Sequence, residues 1–106
     1  MSDFDNGLTK AELERLAYLS EELGEVIQII GKIIRHGYES THPDGGPINR
    51  ELLEKEIIDV YSGLRLMFYY GDIDELWIKE KSIEKDLRKN IYFHHQDWQD
   101  CSLYDI

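Results

Sequence analysis

Apolar residues between positions 9 and 36 recur at intervals of three and four, which is the spacing of one face of an α-helix. These positions are Leu13, Leu16, Leu19, Leu23, Val26, Ile27, Ile30 and Ile34. Thr9 is a favoured N-cap residue, and Glu12 three positions later completes a capping box. The pattern predicts a first helix from Thr9 to about His36, ended by Gly37 as a C-cap.

Residues 37–48, "GYESTHPDGGPI", contain both prolines of the chain and predict a loop. Loops of this length in compact domains tend to be lids or binding loops. Asn49 is suited to cap a second helix over about Arg50 to Tyr70, and Gly71 is suited to end it.

A third helix is predicted from about Ile73 to Asn90, opened by Asp72 or Asp74. Its apolar positions are Leu76, Trp77, Ile83 and Leu87. The tail, residues 91–106, is aromatic and acidic, and its pattern indicates no definite element. No alternation typical of a strand competes with these helices, so the predicted fold class is all-α.

The chain has 106 residues, which predicts a single domain over residues 1–106. Its hydrophobic fraction of 42% excludes a disordered chain. The net charge of −10 argues against unaided binding to nucleic acid or to an anionic membrane. One cysteine, Cys101, excludes an intrachain disulfide and a cysteine-built zinc site. Without a signal peptide or a segment of transmembrane length, a cytoplasmic protein is expected.

The acidic residues of the first helix do not all lie on its polar side. At about 100° per residue, Glu25 lies between Glu21 and Glu22, so the three share one face. Glu22 and Glu25 flank the apolar stripe, next to Tyr18 and Ile29, whereas Glu21 lies nearer the polar edge.

The second helix divides its acidic residues more clearly. Glu56 and Asp59 are three residues apart and therefore neighbours on one face. The residues around them are Leu52, Val60, Gly63, Leu66 and Met67. Glu51 and Glu54 fall on the other side of the helix, where a solvated face is expected.

Unpaired carboxylates in apolar surroundings cost several kcal/mol unless they are protonated, paired with a base or bound to a cation. A pair of glutamates at helical spacing usually belongs to a solvated face. Two such pairs of acidic residues, each beside an apolar stripe on consecutive helices, are harder to explain as solvated faces. Carboxylate oxygens are ligands that suit Mg²⁺ or Mn²⁺. A di-iron centre is disfavoured because neither helix has the Glu-x-x-His pair of those bundles.

The two motifs, "EELGE" at residues 21–25 and "EIID" at residues 56–59, resemble those of the MazG-like nucleoside triphosphate pyrophosphohydrolases. The resemblance covers about residues 13–70. It implies a helical bundle that is commonly a homodimer or homotetramer, so that self-association completes the three helices of each chain. It also implies Mg²⁺-dependent cleavage of the α–β phosphoanhydride of a (d)NTP into a (d)NMP and pyrophosphate.

Transferred by motif position, Glu22, Glu25, Glu56 and Asp59 would be the metal ligands. Glu21 would orient or deprotonate the attacking water. The family binds phosphates with basic residues and an asparagine of its later helices. The corresponding candidates here are Lys81, Lys85, Arg88, Lys89 and Asn90. Cations near a helix C-terminus also complement its dipole, so ordinary surface pairing explains this group equally well. His36 and His42 are interpreted as surface residues or, at most, phosphate contacts.

Two other functions are compatible with these residues. A dUTPase-like or phosphoribosyl-ATP-type enzyme of the same superfamily would use the same acidic residues on another nucleotide. An acidic interaction protein or DNA mimic would need carboxylates spread over an exposed surface. Because Glu22, Glu56 and Asp59 share faces with apolar residues, the enzyme is preferred.

Overall fold

The computed structural model describes residues 5–86 and 93–96. These residues form three helices and no strand: α1 (Lys10–His36), α2 (Asn49–Tyr69) and α3 (Glu75–Asp86). The predicted all-α class is confirmed for this part of the chain. None of the described helices is long and apolar enough to cross a membrane.

The chain divides into two compact units, Met1–Asp72 and Ile73–Ile106. The first unit contains α1 and α2, and the second contains α3. The single domain expected over residues 1–106 stays a prediction.

Helix α1 begins and ends where the sequence predicts. The Thr9 hydroxyl accepts a hydrogen bond from the Glu12 backbone N–H at 3.1 Å, and the Glu12 carboxylate accepts one from the Thr9 N–H at 2.9 Å. The capping box therefore satisfies two N–H groups that the helix itself leaves without partners. At the other end, Gly37 adopts φ +90°, a conformation that glycine tolerates best.

The start of α2 differs from the prediction. Ile48 is the N-cap, and Asn49 is the first residue of the helix. The prediction of Asn49 as the cap was wrong because its amide has a distant partner, the Gly37 carbonyl, to which it donates at 3.1 Å. The Asn49 backbone N–H also donates to the Ser40 carbonyl at 2.9 Å. Asn49 thus fastens loop 37–48 to both helices.

Helices α1 and α2 pack against each other as an antiparallel hairpin. Its buried apolar residues are Val26, Ile29, Val60 and Met67. Gly63 of α2 is also buried, and a Cβ placed there would lie 3.1 Å from the Tyr18 ring. The absence of a side chain at Gly63 therefore lets the two helices approach closely around Tyr18.

A bidentate ion pair closes the hairpin at the end opposite the loop. Arg15 Nε and Nη2 donate to the Asp72 carboxylate at 2.5 and 2.8 Å, and each side chain is only 13% exposed. The Arg15 guanidinium also lies 4.5 Å from the centroid of the Tyr70 ring. The hydrogen bonds from Arg15 lower the pKa of Asp72 below its usual range.

The Asp72 carboxylate is therefore bound to Arg15. Of the two residues predicted to cap α3, Asp74 is the one that does so. Its carboxylate accepts a hydrogen bond from the Trp77 N–H at 3.0 Å. The described helix runs over Glu75–Asp86, shorter than the predicted span of 73–90. Residues 87–90 of that prediction lie outside the described residues.

Much of the apolar stripe predicted for α1 is exposed. Val26 is buried, but Ile27 is 69% exposed and Ile34 is 80% exposed. The exposed members of the stripe are Leu13, Leu16, Leu23, Ile27, Ile30 and Ile34. Helix α1 instead faces α2 through the side that carries Glu22, Val26 and Ile29. The exposed stripe is about a third of a turn away from that side.

Candidate metal centre

Three carboxylates from the two helices of the hairpin converge at one place. One oxygen each of Glu22, Glu56 and Asp59 lies within 4.8 Å of the others. The spacing of three residues puts Glu56 and Asp59 on the same face of α2, and antiparallel packing brings Glu22 of α1 opposite them. Two oxygens on one Mg²⁺ ion are at most about 4.2 Å apart. Only a small contraction would bring this trio around such an ion.

The trio has no protein group to neutralise it among the described residues. Glu22 and Glu56 each have a buried Oε2 atom without a hydrogen-bond partner. The ion pairs of the described residues lie elsewhere, such as Arg15–Asp72 on the hairpin and Lys81–Glu84 on α3. Buried carboxylate oxygens without donors are costly, and a divalent cation with a preference for oxygen ligands would remove that cost.

The pKa of Glu56 is raised to about 7. The contact with Glu25 is the largest cause, followed by burial and by the contact with Glu22. The pKa of Glu22 is also raised, mainly by burial, while its contact with Glu56 acts in the opposite direction. As ionised carboxylates these groups have no donor between them. A proton on Glu56, donated to Glu25 or Glu22, relieves the repulsion in the metal-free protein.

The five acidic residues singled out by the sequence take three kinds of position. Glu22, Glu56 and Asp59 form the trio. Glu25 is half-buried and lies against Glu56 without belonging to the trio. Glu21 is exposed, and its charge contributes to the raised pKa of Glu22. Their assignment as metal ligands and water-orienting group stays a prediction.

Tyr18 is a residue of this site to which sequence analysis gave no role. Burial raises the pKa of its phenol, and the charges of Asp59, Glu22 and Glu56 raise it further. The hydroxyl therefore keeps its proton and remains a potential donor beside the carboxylates. The spacing of four residues to Glu22 was a visible signal. The packing of the ring against Gly63 was not visible in the sequence, because it depends on how α1 and α2 are aligned.

The predicted phosphate-binding residues are only partly described. The Lys81 ammonium lies 3.4 Å from the Glu84 carboxylate in its own helix, and Lys85 is exposed. Arg88, Lys89 and Asn90 lie outside the described residues. The phosphate-binding role of this group stays a prediction.

No protein-family model matches the chain, and neither a curated protein nor a solved structure matches it. The resemblance to the MazG-like enzymes stays a prediction, which rests on the two acidic motifs and their apolar context.

Proposed function

We propose that this protein is a Mg²⁺-dependent nucleotide pyrophosphohydrolase of the MazG-like type, with Mn²⁺ as a possible substitute. It would hydrolyse a (d)NTP to a (d)NMP and pyrophosphate. The observation that carries the proposal is the convergence of Glu22, Glu56 and Asp59 from two helices. Glu22 and Glu56 each have a buried oxygen without a donor among the residues that the structure describes. This arrangement suits a cation and is poorly explained as a solvated surface.

Glu22, Glu56 and Asp59 would hold the cation, with Glu25 beside Glu56 as a fourth carboxylate. A bound Mg²⁺ supplies positive charge to the phosphates and favours ionisation of water. Glu21 is exposed and directly precedes Glu22 of the trio. It would orient the attacking water or accept its proton. The water oxygen bonds to the α-phosphorus, the bond from that phosphorus to the α–β bridging oxygen breaks, and pyrophosphate leaves with that oxygen.

The charge of the chain supports a requirement for a metal. A protein of net charge −10 repels a nucleoside triphosphate unless cations lie between the two. The DNA-mimic alternative is weaker, because a mimic displays its carboxylates, whereas those of the trio are half-buried between helices. The trio is better suited to enclose a small ion than to imitate a phosphate backbone.

Self-association into a homodimer or homotetramer is part of the same proposal. The first unit buries few apolar side chains completely, and α1 exposes a stripe that includes Leu23, Ile27 and Ile34. A second copy covering this stripe would add the apolar burial that two helices alone do not provide.

The proposal is tested by measuring release of pyrophosphate from a panel of (d)NTPs, dUTP and phosphoribosyl-ATP, with Mg²⁺, with Mn²⁺ and with EDTA. We expect pyrophosphate and a nucleoside monophosphate, formed only when metal is present. The preferred substrate distinguishes a general (d)NTP enzyme from the dUTPase-like and phosphoribosyl-ATP-type alternatives. Release of orthophosphate, or no turnover of any member of the panel, would contradict the proposal.

A further inference from the structure

A second candidate site lies at the loop end of the hairpin. A cleft of about 350 Å³ opens between the last turns of α1, loop 37–48 and the start of α2. Its polar lining includes Lys32, Arg35, His36, Ser40, Thr41 and His42. None of its nine lining residues is acidic, although the chain contains 22 aspartate and glutamate residues. We call it the basic cleft.

Among the described residues, no carboxylate pairs with Lys32 or Arg35 of the basic cleft, whereas His42 Nδ1 lies 3.5 Å from the Asp44 carboxylate. Glu39, an acidic residue of the loop, is bound instead to Arg50 at 2.6 Å. The helix dipole explains why Arg35 and His36 suit the end of α1. It does not explain why loop residues with further donors line the same cleft.

The loop is held in place by hydrogen bonds. The Asn49 amide fixes the Gly37 carbonyl, and the Asn49 N–H fixes the Ser40 carbonyl. Within the loop, His42 Nδ1 accepts a hydrogen bond from the Asp44 N–H at 3.1 Å. An Nδ1 atom that accepts leaves the proton of the neutral ring on Nε2, so His42 has a donor to offer a ligand.

The basic cleft lies nearer to loop 37–48 along the hairpin than the acidic trio does. On α1, Lys32 follows Glu22 of the trio by ten residues, about 15 Å along the axis. It follows Glu25, which lies against Glu56, by seven residues, about 10 Å, and lies on nearly the same face as Glu25. On α2, Leu52 of the cleft precedes Glu56 by one turn, about 6 Å. A chain of phosphates bound at one end to a cation of the trio could therefore extend along the hairpin toward the cleft.

We infer that the basic cleft binds a diphosphate group, and that during turnover this group is the terminal diphosphate of the nucleotide. The identification of the ligand as part of a nucleotide rests on the proposed function. The affinity of the cleft for a diphosphate does not, because it depends only on Lys32, Arg35, the two histidines and the loop hydroxyls. Charge-assisted hydrogen bonds to phosphate are about twice as strong as neutral ones.

The test is a titration of the protein with inorganic pyrophosphate in EDTA, followed by backbone amide NMR signals. We expect saturable shifts at Ser40, Thr41 and Asn49, and none when sulfate replaces pyrophosphate at equal ionic strength. Lys32→Gln should weaken binding about tenfold or more. Lys10→Gln, the same change at the exposed far end of α1, should leave binding unchanged. Arg35→Gln and Arg65→Gln form a second matched pair, since Arg65 is exposed far along α2. Arg35→Gln should weaken pyrophosphate binding, and Arg65→Gln should leave it unchanged.

Equal affinities in Lys32→Gln and Lys10→Gln, shifts located away from the loop, or no saturable binding would overturn the inference. Because EDTA removes any metal, the result is independent of turnover. If the protein binds pyrophosphate in the cleft but releases none from nucleotides, the diphosphate site is supported and the proposed function is contradicted. If the protein releases pyrophosphate from nucleotides but its cleft does not bind pyrophosphate, the proposed function is supported and the diphosphate site is contradicted.

Discussion

Glu54 and Glu56 are two residues apart on α2, yet their side chains have different surroundings. Glu54 is exposed, whereas Glu56 is half-buried and contacts Glu25 and Glu22. Helical periodicity alone predicted this difference, because it depends only on which side of α2 carries the apolar residues. Periodicity could not predict that Glu22 rather than Glu25 joins the trio. That choice depends on the alignment of α1 against α2.

The raised pKa of Glu56 predicts how the stability of the metal-free protein changes with pH. The ordinary pKa of the group is 4.5, and in the folded protein it is about 7. Between these values the folded state binds more protons than the unfolded state, so the free energy of unfolding falls as pH rises. Asp72, whose pKa is lowered, has the opposite effect, but only near and below its ordinary value of 3.8.

Urea unfolding in EDTA at several pH values from about 5 to about 7.5 measures this dependence. We expect Glu56→Gln to flatten it and to stabilise the protein most at the upper end, because the repelling charge is absent. Glu54→Gln should keep the wild-type slope. A stability that rises with pH across this window, or equal slopes in the two variants, would contradict the pKa assignment.

At the scale of the elements, local signals predicted the ends of α1 but not the start of α2. The capping box of Thr9 and Glu12 acts within four residues and is readable from the sequence. Asn49 has an equally good local signal, but its amide is used 12 residues away at the Gly37 carbonyl. Asp72 likewise binds Arg15, which is 57 residues away, and leaves Asp74 to cap α3. Long-range partners are what single-sequence reasoning could not supply.

The close approach of the two helices around Tyr18 predicts a difference between two glycines. A Cβ at Gly63 would lie 3.1 Å from the Tyr18 ring, whereas a Cβ at Gly24 would meet nothing within 4 Å. Gly24→Ala should stabilise the protein by about 0.5–1 kcal/mol through helix propensity. Gly63→Ala gains the same propensity but crowds Tyr18, at a cost of about 1–3 kcal/mol.

Chemical denaturation of the two alanine variants gives the comparison, and Gly63→Ala should be the less stable. It should also lose activity, because Tyr18 lies beside the trio. If Gly63→Ala were as stable as Gly24→Ala, the packing of Tyr18 against Gly63 would not be what fixes the spacing of the helices.

At the scale of the whole molecule, the apolar residues of α1 serve two sides of the helix. One side packs on α2, and the other exposes Leu16, Leu23, Ile27, Ile30 and Ile34. The sequence showed one broad stripe, since periodicity does not distinguish a side covered by α2 from a side left open. The exposed side is about a third of a turn from Glu22, so a second copy bound there would leave the acidic trio accessible.

Sedimentation of an Ile27→Glu variant tests whether this stripe is where copies associate. A charge placed in an apolar interface loses its hydration, so the variant should dissociate at a concentration about tenfold or more higher than the wild type. Gln28→Glu, the same charge change on the neighbouring exposed residue, should sediment as the wild type does. A wild-type protein that is monomeric at high micromolar concentration would contradict self-association outright.

In the proposed function, Glu22, Glu56 and Asp59 hold the cation required to hydrolyse a nucleotide. The most direct measurement compares the rates of pyrophosphate release of Glu56→Gln and Glu54→Gln with that of the wild type, at saturating Mg²⁺. Glutamine keeps the size of the side chain but removes the charge that binds the ion. We expect Glu56→Gln to lose about a hundredfold or more of the rate while remaining folded, and Glu54→Gln to stay close to the wild type. Equal rates in the two variants would contradict the claim, because the buried carboxylate would then matter no more than the exposed one.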